Sequence, residues 1–323
     1  MNGFGRIGRY LLRLLADSED IRITAINARA DNASLAHLFK YDSVYGIFPG
    51  TVDHDDNGII INGRHIEVTR CKTGEWEWAR LGIDIAVETT GTLKKREDAA
   101  QHLQCGAKKV VVSAPCKEAD ATIVMGVNDD IYDAAAHTVL SAASCTTNCL
   151  APVAKVLNDA FGIRHGLMTT IHSYTMSQRI LDGSQKDIRR ARAAAMSMIP
   201  TTTGAAKAVA LVLPELKGKL DGIAIRVPTP NVSIVDLNCV MKRDVTVDEV
   251  NAALTAAAND NFGVSDEPLV SIDYNGDTHG GVVDLLSTSV MSGNMLKVLI
   301  WYDNEAGFTN QLLRLITMVA GKM

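Results

Sequence analysis

Short apolar segments alternate with amphipathic segments through the first part of the chain. The apolar segments are rich in β-branched residues and lie at positions 21–27, 83–88, 109–112, 121–125 and 138–140. Segments of this kind are typical of parallel strands that helices cover on both faces. Residues 9–15 have the spacing of an amphipathic helix. The pattern therefore predicts an α/β fold in which residues 1–144 form a doubly wound parallel sheet.

The pattern changes after residue 144. Residues 220–240 and 297–302 predict strands, and residues 247–259 predict a helix that a capping box of Thr246 and Glu249 would begin. Residues 174–200 form a long, basic, irregular segment. We therefore expect an α+β catalytic domain with a mostly antiparallel sheet over residues 145–307. We also expect a C-terminal helix, residues 308–323, that returns to the first domain.

A glycine motif of the form G-x-G-x-x-G opens the first predicted helix, and its residues are Gly3, Phe4, Gly5, Arg6, Ile7 and Gly8. Gly3 would permit a tight turn, Gly5 would let the backbone approach a pyrophosphate, and Gly8 would let helix pack on strand. In this context the motif predicts a dinucleotide-binding domain of the Rossmann type. The motif normally follows a strand of about five residues, so we expect that this first strand is missing before Met1.

A cysteine at the beginning of a predicted helix is the second candidate site. Cys145 lies between Ser144 and Thr146, directly before an apolar run, and His172 follows later in the chain. The unpaired N–H groups of a helix N-terminus favour a thiolate, and a histidine is a suitable base for it. Taken alone, the two residues fit an inert buried cysteine and a core histidine equally well.

Composition and charge exclude several classes of protein. The 323 residues are 47% hydrophobic and 21% charged, with a formal net charge of −5. Neither nucleic acid nor an anionic membrane is therefore indicated as a partner. The six cysteines are scattered without a CxxC pair, so we expect no disulfide framework and no metal site. No signal peptide or membrane span is recognisable, so we expect a cytoplasmic protein.

Several longer motifs, in the same order along the chain, resemble the phosphorylating glyceraldehyde-3-phosphate dehydrogenase family. They lie at residues 2–9, 40–43, 143–149, 192–195, 203–207, 226–233 and 301–305. The resemblance implies reversible conversion of glyceraldehyde 3-phosphate and inorganic phosphate to 1,3-bisphosphoglycerate. Cys145 would form the thiohemiacetal and the thioester, and His172 would be the base. The resemblance also implies a homotetramer that acts in glycolysis, gluconeogenesis or carbon fixation.

The same resemblance assigns the remaining site residues. Thr175 and Arg226 would bind the C3 phosphate of the substrate. The attacking phosphate would be bound by Ser144, Thr203 and Gly204, with Thr146 at the same site and Arg192 close to both phosphates. The residues that would line or orient the nicotinamide cofactor are Thr90, Gly91, Ser113 and Asn304. For Arg226 taken alone, a surface charge at a strand end is the more common explanation.

The end of the second predicted strand bears on the choice of cofactor. NAD-specific Rossmann proteins place a carboxylate there for the ribose hydroxyl, but this chain has Asn27, Ala28 and Arg29. By resemblance, Ser184 also fits the NADP-using, biosynthetic type of the family. We therefore expect NADP to be preferred or used alongside NAD. Asp31 is the alternative ribose ligand.

Three alternatives stay open. The first is erythrose-4-phosphate dehydrogenase, a related aldehyde oxidiser. The second is a non-catalytic nucleotide- or RNA-binding protein, and the third is a thiol redox sensor.

The chain also departs from the family pattern at Ala306 and Phe308, where the family usually has tryptophan and tyrosine. This departure predicts looser positioning of the cofactor.

Overall fold

The computed structural model describes residues 1–323, and the chain folds as two units. The first unit comprises Met1–Ile123, Asp129–Ala143 and Leu312–Met323, and the second comprises Val124–Asn128 and Ser144–Gln311. The last segment of the first unit therefore begins later than residue 308, the expected boundary. The backbone N–H of Ala306 donates to Asp303, at 2.8 Å, so the start of the last helix is fixed within the second unit.

The first unit contains four helices, α1 (Arg6–Leu15), α2 (Asn32–Lys40), α3 (Arg96–Ala99) and α4 (Gln101–Gln104). Its strands are β1 (Ala25–Asn27), β2 (Tyr41–Asp42), β3 (Gly46–Ile47), β4 (Val52–His54), β5 (Gly58–Ile61), β6 (Arg64–Thr69), β7 (Ile85–Glu88), β8 (Lys109–Val112), β9 (Ala121–Thr122) and β10 (Val139–Ser141). One sheet has the order β7-β8-β10-β9 and is parallel throughout. The other has the order β1-β6-β5-β4, in which only β1 and β6 are parallel. The predicted parallel sheet is confirmed, with an antiparallel extension that the pattern did not indicate.

Asn2 joins these two sheets, because it lies between β1 and β7 and forms parallel bridges to Asn27 and Glu88. Its N–H donates to the Val87 carbonyl and its carbonyl accepts from Thr89, each at 2.8 Å. A cavity of about 340 Å³ lies next to Met1, in the gap between β1 and β7. Its walls come from both strands and from helices of the first unit, and include Leu11, Leu15, Ala25, Ile85, Val87 and Ile316.

The cavity explains why β1 is shorter than predicted. Residues 21–24 have the apolar pattern of a strand, but no neighbouring strand pairs with them on the side of the cavity. Successive residues of a parallel strand bond to opposite sides, so the N–H groups of Ala25 and Val87 are directed into the cavity. Backbone groups that lack a partner and are shielded from water destabilise the fold.

An apolar extension of the chain is expected to stabilise the first unit. Five apolar residues placed before Met1 would pair with β1 and β7, and we expect the unfolding temperature to rise by about 5 °C or more. Thermal unfolding followed by circular dichroism measures the change. A glycine–serine extension of the same length is the control. Equal unfolding temperatures for the two extended chains would show that the cavity does not accept a strand.

The second unit is built on one seven-stranded sheet. Its helices are α5 (Cys145–Phe161), α6 (Ala205–Val212) and α7 (Val247–Ala257). Its strands are β11 (Ile163–Ser173), β12 (Ile199–Thr202), β13 (Leu220–Val227), β14 (Ser233–Met241), β15 (Gly263–Ser265), β16 (Val282–Met291) and β17 (Met295–Tyr302). The order is β12-β13-β11-β14-β17-β16-β15, and only the pairs β11–β13 and β15–β16 are parallel. The prediction of a mostly antiparallel sheet is therefore confirmed.

The last helix, α8 (Ala306–Ala320), begins in the second unit and ends in the first. The predicted capping box at α7 is present, because the Thr246 and Glu249 side chains each accept from the other's backbone N–H. No helix has the length and apolar character that crossing a membrane requires. Between β11 and β12 the chain runs mostly without regular structure, and several large apolar side chains there are exposed: Met176, Ile180, Leu181, Ile188, Met196 and Met198.

Candidate active site

The N-terminus of α5 presents Cys145. Ser144 is the N-cap, and its hydroxyl accepts from the Thr147 N–H at 3.0 Å, which satisfies one of the unpaired donors of the first turn. Ala143 precedes it with φ of 58°, in the left-handed region that an alanine rarely adopts. This turn sets the direction in which the chain enters the helix. Cys145 is the first residue of α5, as the sequence predicted.

Two parallel strands bring the other candidate residues to the cysteine. His172 on β11 and Arg226 on β13 are partners in the register of the sheet, so their side chains start side by side. The His172 Nε2 lies 3.6 Å from the Cys145 Sγ. The Arg226 Nη1 lies 2.7 Å from the His172 Nδ1 and donates to the Ser173 carbonyl at 2.9 Å. A sulfur, an imidazole and a guanidinium therefore form one contiguous group.

The protonation states differ from the expected thiolate. Burial raises the pKa of the Cys145 thiol, and this effect exceeds the lowering by the Arg226 charge and by hydrogen bonds with Thr146. Burial also lowers the pKa of His172 to about 3, and the Arg226 charge acts in the same direction. The pair therefore consists of a thiol and a neutral imidazole. Desolvation of the sulfur thus opposes the thiolate that the helix N-terminus was expected to favour.

The buried neutral histidine predicts a pH dependence of stability. The folded pKa of about 3 lies below the ordinary value of 6.5, so between these pH values the unfolded chain binds more protons at this residue. Stability therefore falls as the pH falls through this range. Between pH 7 and pH 5 the unfolding free energy of the wild type should fall, and His172→Gln lacks this contribution. The fall should therefore be about 2 kcal/mol smaller in His172→Gln than in the wild type. Urea unfolding at both pH values measures this, and equal losses in the two proteins would contradict it.

Tyr302, at the end of β17, is a site residue that sequence analysis missed. Its hydroxyl is buried and lies 2.9 Å from the Thr146 Oγ1 and 2.8 Å from the Thr170 Oγ1. Its ring meets the His172 ring edge-on, with the centroids 5.9 Å apart. Burial raises the pKa of the phenol, so it stays protonated. Tyr302 thus fixes both the first turn of α5 and the plane of the imidazole, and its place in the 301–305 motif was the available signal.

The basic loop contributes a different arginine from the one predicted. The Arg192 side chain is 66% exposed, and its Nε is paired with Asp182 at 3.0 Å. The Arg190 Nε instead donates to the Thr201 Oγ1 at 2.9 Å. Burial lowers the pKa of Arg226, and the charge of Arg190 acts in the same direction. Arg190 is therefore the loop arginine that acts on Arg226. The sequence could not distinguish the two, because both belong to one basic run.

The hydroxyl residues assigned to phosphate already have structural partners. The Ser144 hydroxyl caps α5, and the Thr146 hydroxyl is hydrogen-bonded to Tyr302. The Thr203 Oγ1 accepts from the Ala205 N–H at 3.2 Å, next to Gly204, the exposed N-cap of α6. The Thr175 Oγ1 lies 2.9 Å from the Ser177 Oγ on the loop after β11. A phosphate that binds these hydroxyls would have to replace their present hydrogen bonds or form additional ones beside them.

Asn304 is buried, and its orientation is set by two serines. The Ser233 Oγ donates to the Asn304 Oδ1 at 2.8 Å and accepts from the Ser173 N–H at 3.1 Å. The amide of Asn304 is thus tied to the end of β11, next to His172. Ala306 and Phe308 are both buried. The prediction that their departure from the family pattern loosens a cofactor remains open.

The glycine motif of the first unit has the predicted form. Gly3 has φ of 96°, and a Cβ there would lie 2.9 Å from the Thr90 backbone nitrogen. A Cβ at Gly8 would lie 2.9 Å from the Gly3 carbonyl, so Gly8 permits close packing of α1. A Cβ at Gly5, the N-cap of α1, would meet no atom within 4 Å. The helix N-terminus is therefore open at Gly5, as a pyrophosphate group requires.

A cleft of about 810 Å³ adjoins this turn. Several of the predicted cofactor residues line it: Gly3, Phe4, Gly5, Asn27, Ala28, Arg29 and Thr90. Arg6, Ile7, Gly8, Gly91 and Ser113 do not line it, and Arg6 is paired with Asp42 at 2.5 Å. The lining includes three cations, Arg29, Arg70 and Lys72, and no carboxylate. Asp31 caps α2 by accepting from Ser34, which gives it a structural role.

Glu88 lies behind this cleft and was also missed by sequence analysis. It is 1% exposed, at the end of β7. Its carboxylate accepts from Asn2 at 2.6 Å and from the N–H of Thr90 at 2.7 Å, and it also binds the Thr90 hydroxyl. The buried His102 Nε2 lies 3.2 Å from it, and the His102 Nδ1 accepts from the Trp78 indole at 2.9 Å. One buried carboxylate therefore holds both sides of the Gly3 turn.

Comparison with known proteins identifies the family. The family models described as "Glyceraldehyde 3-phosphate dehydrogenase, NAD binding domain" and "Glyceraldehyde 3-phosphate dehydrogenase, C-terminal domain" match residues 1–96 and 144–304. The chain belongs to the glyceraldehyde-3-phosphate dehydrogenase family. It is an oxidoreductase with a nicotinamide-binding domain and a catalytic domain, as its sequence predicted.

Named relatives support this assignment over the full chain. The chain is 57% identical to glyceraldehyde-3-phosphate dehydrogenase of Geobacillus stearothermophilus, over 100% of this chain and 98% of the relative. It is 56% identical to glyceraldehyde-3-phosphate dehydrogenase 1 of Bacillus subtilis, with the same coverage. It is also 55% identical to the Cereibacter sphaeroides glyceraldehyde-3-phosphate dehydrogenase, over 97% of this chain and 95% of the relative. No group of three or more His, Cys, Asp or Glu side chains is placed to hold a metal ion.

Proposed function

We propose that this member of the family is a phosphorylating glyceraldehyde-3-phosphate dehydrogenase that prefers NADP but also uses NAD. It would convert glyceraldehyde 3-phosphate and inorganic phosphate reversibly to 1,3-bisphosphoglycerate in the cytoplasm. The observation that carries the proposal is the contact of Cys145, His172 and Arg226 at one end of the second unit's sheet. A nucleophile, a base and a phosphate ligand are the groups that this chemistry needs.

The side chains divide the chemistry as follows. The Cys145 sulfur forms a bond with the aldehyde carbon while its proton passes to the His172 Nε2 and from there to the aldehyde oxygen, which gives a thiohemiacetal and returns His172 to its neutral form. When bound, the nicotinamide ring accepts the hydride of the oxidation. His172 takes up the proton of the thiohemiacetal hydroxyl, and a thioester remains on Cys145. A phosphate oxygen then forms a bond with the thioester carbon, and the carbon–sulfur bond breaks with its electron pair left on the sulfur. The sulfur takes back the proton from His172, and the acyl phosphate leaves.

Two phosphate groups require two anion sites, and the charged residues of the second unit support their assignment. We assign the C3 phosphate to Arg226 and Thr175, because the Arg226 Nε is buried without a hydrogen-bond partner. We assign the attacking phosphate to Thr203 and the open N-terminus of α6 at Gly204. We assign Arg190, in place of Arg192, as the arginine that lies close to both phosphate sites. A guanidinium fork matches phosphate oxygens in this role.

The preference for NADP rests on the charge of the cleft in the first unit. Three cations and no carboxylate line it, whereas an NAD-specific site has an acid that binds the ribose hydroxyl and would repel a 2′-phosphate. Ser184 is exposed on the basic loop, and we propose that a neighbouring copy presents it to the same phosphate. Gly3, Gly5 and Thr90 would hold the pyrophosphate part of the cofactor.

A carboxylate at position 28 is expected to reverse the preference. In Ala28→Asp, like-charge repulsion should lower kcat/KM for NADP by at least about thirtyfold, or about 2 kcal/mol. The value for NAD should rise, because the new oxygens accept from the ribose hydroxyls. Steady-state kinetics with each cofactor measures both effects. The matched control is Ala28→Asn, which adds the same volume without the charge. Similar losses in both variants would assign the effect to bulk and refute the electrostatic argument.

We propose a homotetramer as the active assembly. The segment between β11 and β12 exposes Met176, Ile180 and Met196 by 82–96%, which is unusual for a segment that stays in water. Neighbouring copies would cover these side chains. Sedimentation equilibrium tests the assembly, and a monomer at micromolar concentration would refute it.

The function is tested by oxidation of glyceraldehyde 3-phosphate with NADP and with NAD, each with and without inorganic phosphate. The proposal predicts phosphate-dependent turnover with both cofactors and a higher kcat/KM with NADP. Faster turnover with NAD would refute the cofactor preference and leave the reaction intact. Erythrose 4-phosphate as substrate is the comparison that decides between the two aldehyde oxidisers. Nucleotide binding without any turnover would favour a non-catalytic protein.

A further inference from the structure

We propose that Gln178 is a further ligand of the C3 phosphate of the substrate, and that the same side chain positions Thr175 for this phosphate. This role rests on the proposed function, because it uses the assignment of the C3 phosphate to Arg226 and Thr175. It adds a neutral donor to that site. Sequence analysis missed Gln178, which lies in the segment between β11 and β12.

The backbone of Thr175 fixes the orientation of the Gln178 amide. Gln178 is only 8% exposed, and its Oε1 accepts from the Thr175 N–H at 3.2 Å. Only the oxygen of a carboxamide can accept a hydrogen bond, so the other end, Nε2, is the donor. The Gln178 N–H also donates to the Thr175 carbonyl, at 3.0 Å. The two residues therefore hold each other in one turn.

The donor end of this amide has no protein partner. The Gln178 Nε2 is buried and forms no hydrogen bond, although a carboxamide nitrogen carries two N–H donors. Buried polar groups in folded proteins nearly always have a partner. The Arg226 Nε is a second buried donor of this kind. Two such donors indicate a ligand that brings several acceptors.

The end of β11 connects these donors to one site. Arg226 donates to the Ser173 carbonyl at 2.9 Å, and Thr175 follows two residues later. The Thr175 N–H is the group that Gln178 accepts from, and the Thr175 hydroxyl is the predicted phosphate ligand. A guanidinium, a hydroxyl and a carboxamide thus belong to one short stretch of backbone. A phosphate ester offers three acceptor oxygens, one for each of these groups.

The chain on the other side of Gln178 is fixed as well. The Arg179 N–H donates to the Arg190 carbonyl at 3.3 Å, and the Arg179 carbonyl accepts from the Ala194 N–H at 2.9 Å. Gln178 therefore lies between the end of β11 and the stretch that carries Arg190, the arginine assigned close to both phosphates. A donor held in this way needs little reordering when an anion binds.

The test compares glyceraldehyde 3-phosphate with glyceraldehyde, which has the aldehyde but no phosphate. Gln178→Glu keeps the side-chain length and an oxygen for the Thr175 N–H, but it puts a negative charge in place of the donor. We expect the ratio of kcat/KM for the phosphorylated aldehyde to that for glyceraldehyde to fall by about thirtyfold or more. Gln178→Met, which is neutral and of similar length, should lower the ratio by about tenfold.

A charge control and the opposite results complete the design. Gln104→Glu, on the exposed surface of α4, adds the same charge in the first unit and should leave the ratio within about twofold of wild type. An equal loss of kcat/KM for both aldehydes in the Gln178 variants would overturn the inference. That result is expected if Gln178 serves only the fold or a contact between copies. An unchanged ratio, or a larger fall in Gln178→Met than in Gln178→Glu, would overturn it too.

These outcomes are distinct from failure of the proposed function. That function fails if the wild type does not oxidise glyceraldehyde 3-phosphate in the presence of phosphate. If the wild type does and the variants keep its ratio, only the role of Gln178 is lost. Gln178→Met decides the question if Gln178→Glu does not fold.

Discussion

Replacing Cys145 with serine is expected to reduce the rate of phosphate-dependent aldehyde oxidation by at least about a thousandfold. A serine hydroxyl holds its proton far more strongly than a thiol does, so transfer of the proton to His172 and formation of the bond to the aldehyde carbon become much slower. The helix cap at Ser144 and the contacts of Thr146 do not involve the sulfur, so the fold should be kept. Steady-state rates and nucleotide titration of the same preparations measure the two effects.

His172→Gln provides the matched comparison for the cysteine. Loss of a general base costs about 10²–10⁴ in rate, and the double variant should be little worse than Cys145→Ser because the two side chains act as a unit. Unchanged nucleotide affinity in all three variants would place the defect in the second unit. Retention of more than about a tenth of the wild-type rate in Cys145→Ser would eliminate this cysteine as the nucleophile.

Glu88→Ala is expected to have the largest effect on stability, with a loss of about 3–5 kcal/mol of unfolding free energy. The change leaves the buried donors of Asn2 and His102, and the N–H of Thr90, without their acceptor. Hydrogen bonds to these donors keep the pKa of the carboxyl below its ordinary value in spite of burial. The stabilising contribution is therefore present above the ordinary pKa of 4.5 and is lost as the pH falls through the lower folded pKa.

The position of Glu88 also predicts weaker cofactor binding. Asn2 and Thr90 flank Gly3, where we propose that the backbone approaches the pyrophosphate, so their release should raise the Kd for NADP by about tenfold or more. Glu88→Gln keeps the shape and one acceptor, and it should lose less stability than Glu88→Ala. Urea unfolding and NADP titration of both variants measure these effects. If the two variants match wild type in unfolding free energy, the buried carboxylate does not hold the turn.

Local signals in the sequence predicted the parts of the structure that depend on neighbours in the chain. Gly3 and Gly8 have the conformation and the close contacts that their spacing indicates, and Thr246 and Glu249 form their capping box. Cys145 lies at a helix N-terminus because a cap and an apolar run adjoin it in sequence. Such features require only a few consecutive residues, so a pattern can specify them.

The features that the sequence did not reveal depend on distant partners. Glu88 and His102 form a buried pair only once β7 and α4 are packed, and nothing local marks either residue. Arg190 and Arg192 differ only in which side of the loop meets Thr201. The raised pKa of Cys145 results from burial, which the helix N-terminus alone does not indicate. The length of β1 likewise depends on the strand beside it.

The central claim, that Cys145 carries the acyl group, is tested most directly by mass spectrometry of the intact protein. Enzyme incubated with glyceraldehyde 3-phosphate and NADP in the absence of phosphate should gain the mass of one phosphoglyceroyl group per chain, and peptide mapping should place it on Cys145. Addition of inorganic phosphate should remove it and release 1,3-bisphosphoglycerate. An unmodified Cys145 in enzyme that reduces NADP under these conditions would contradict the account.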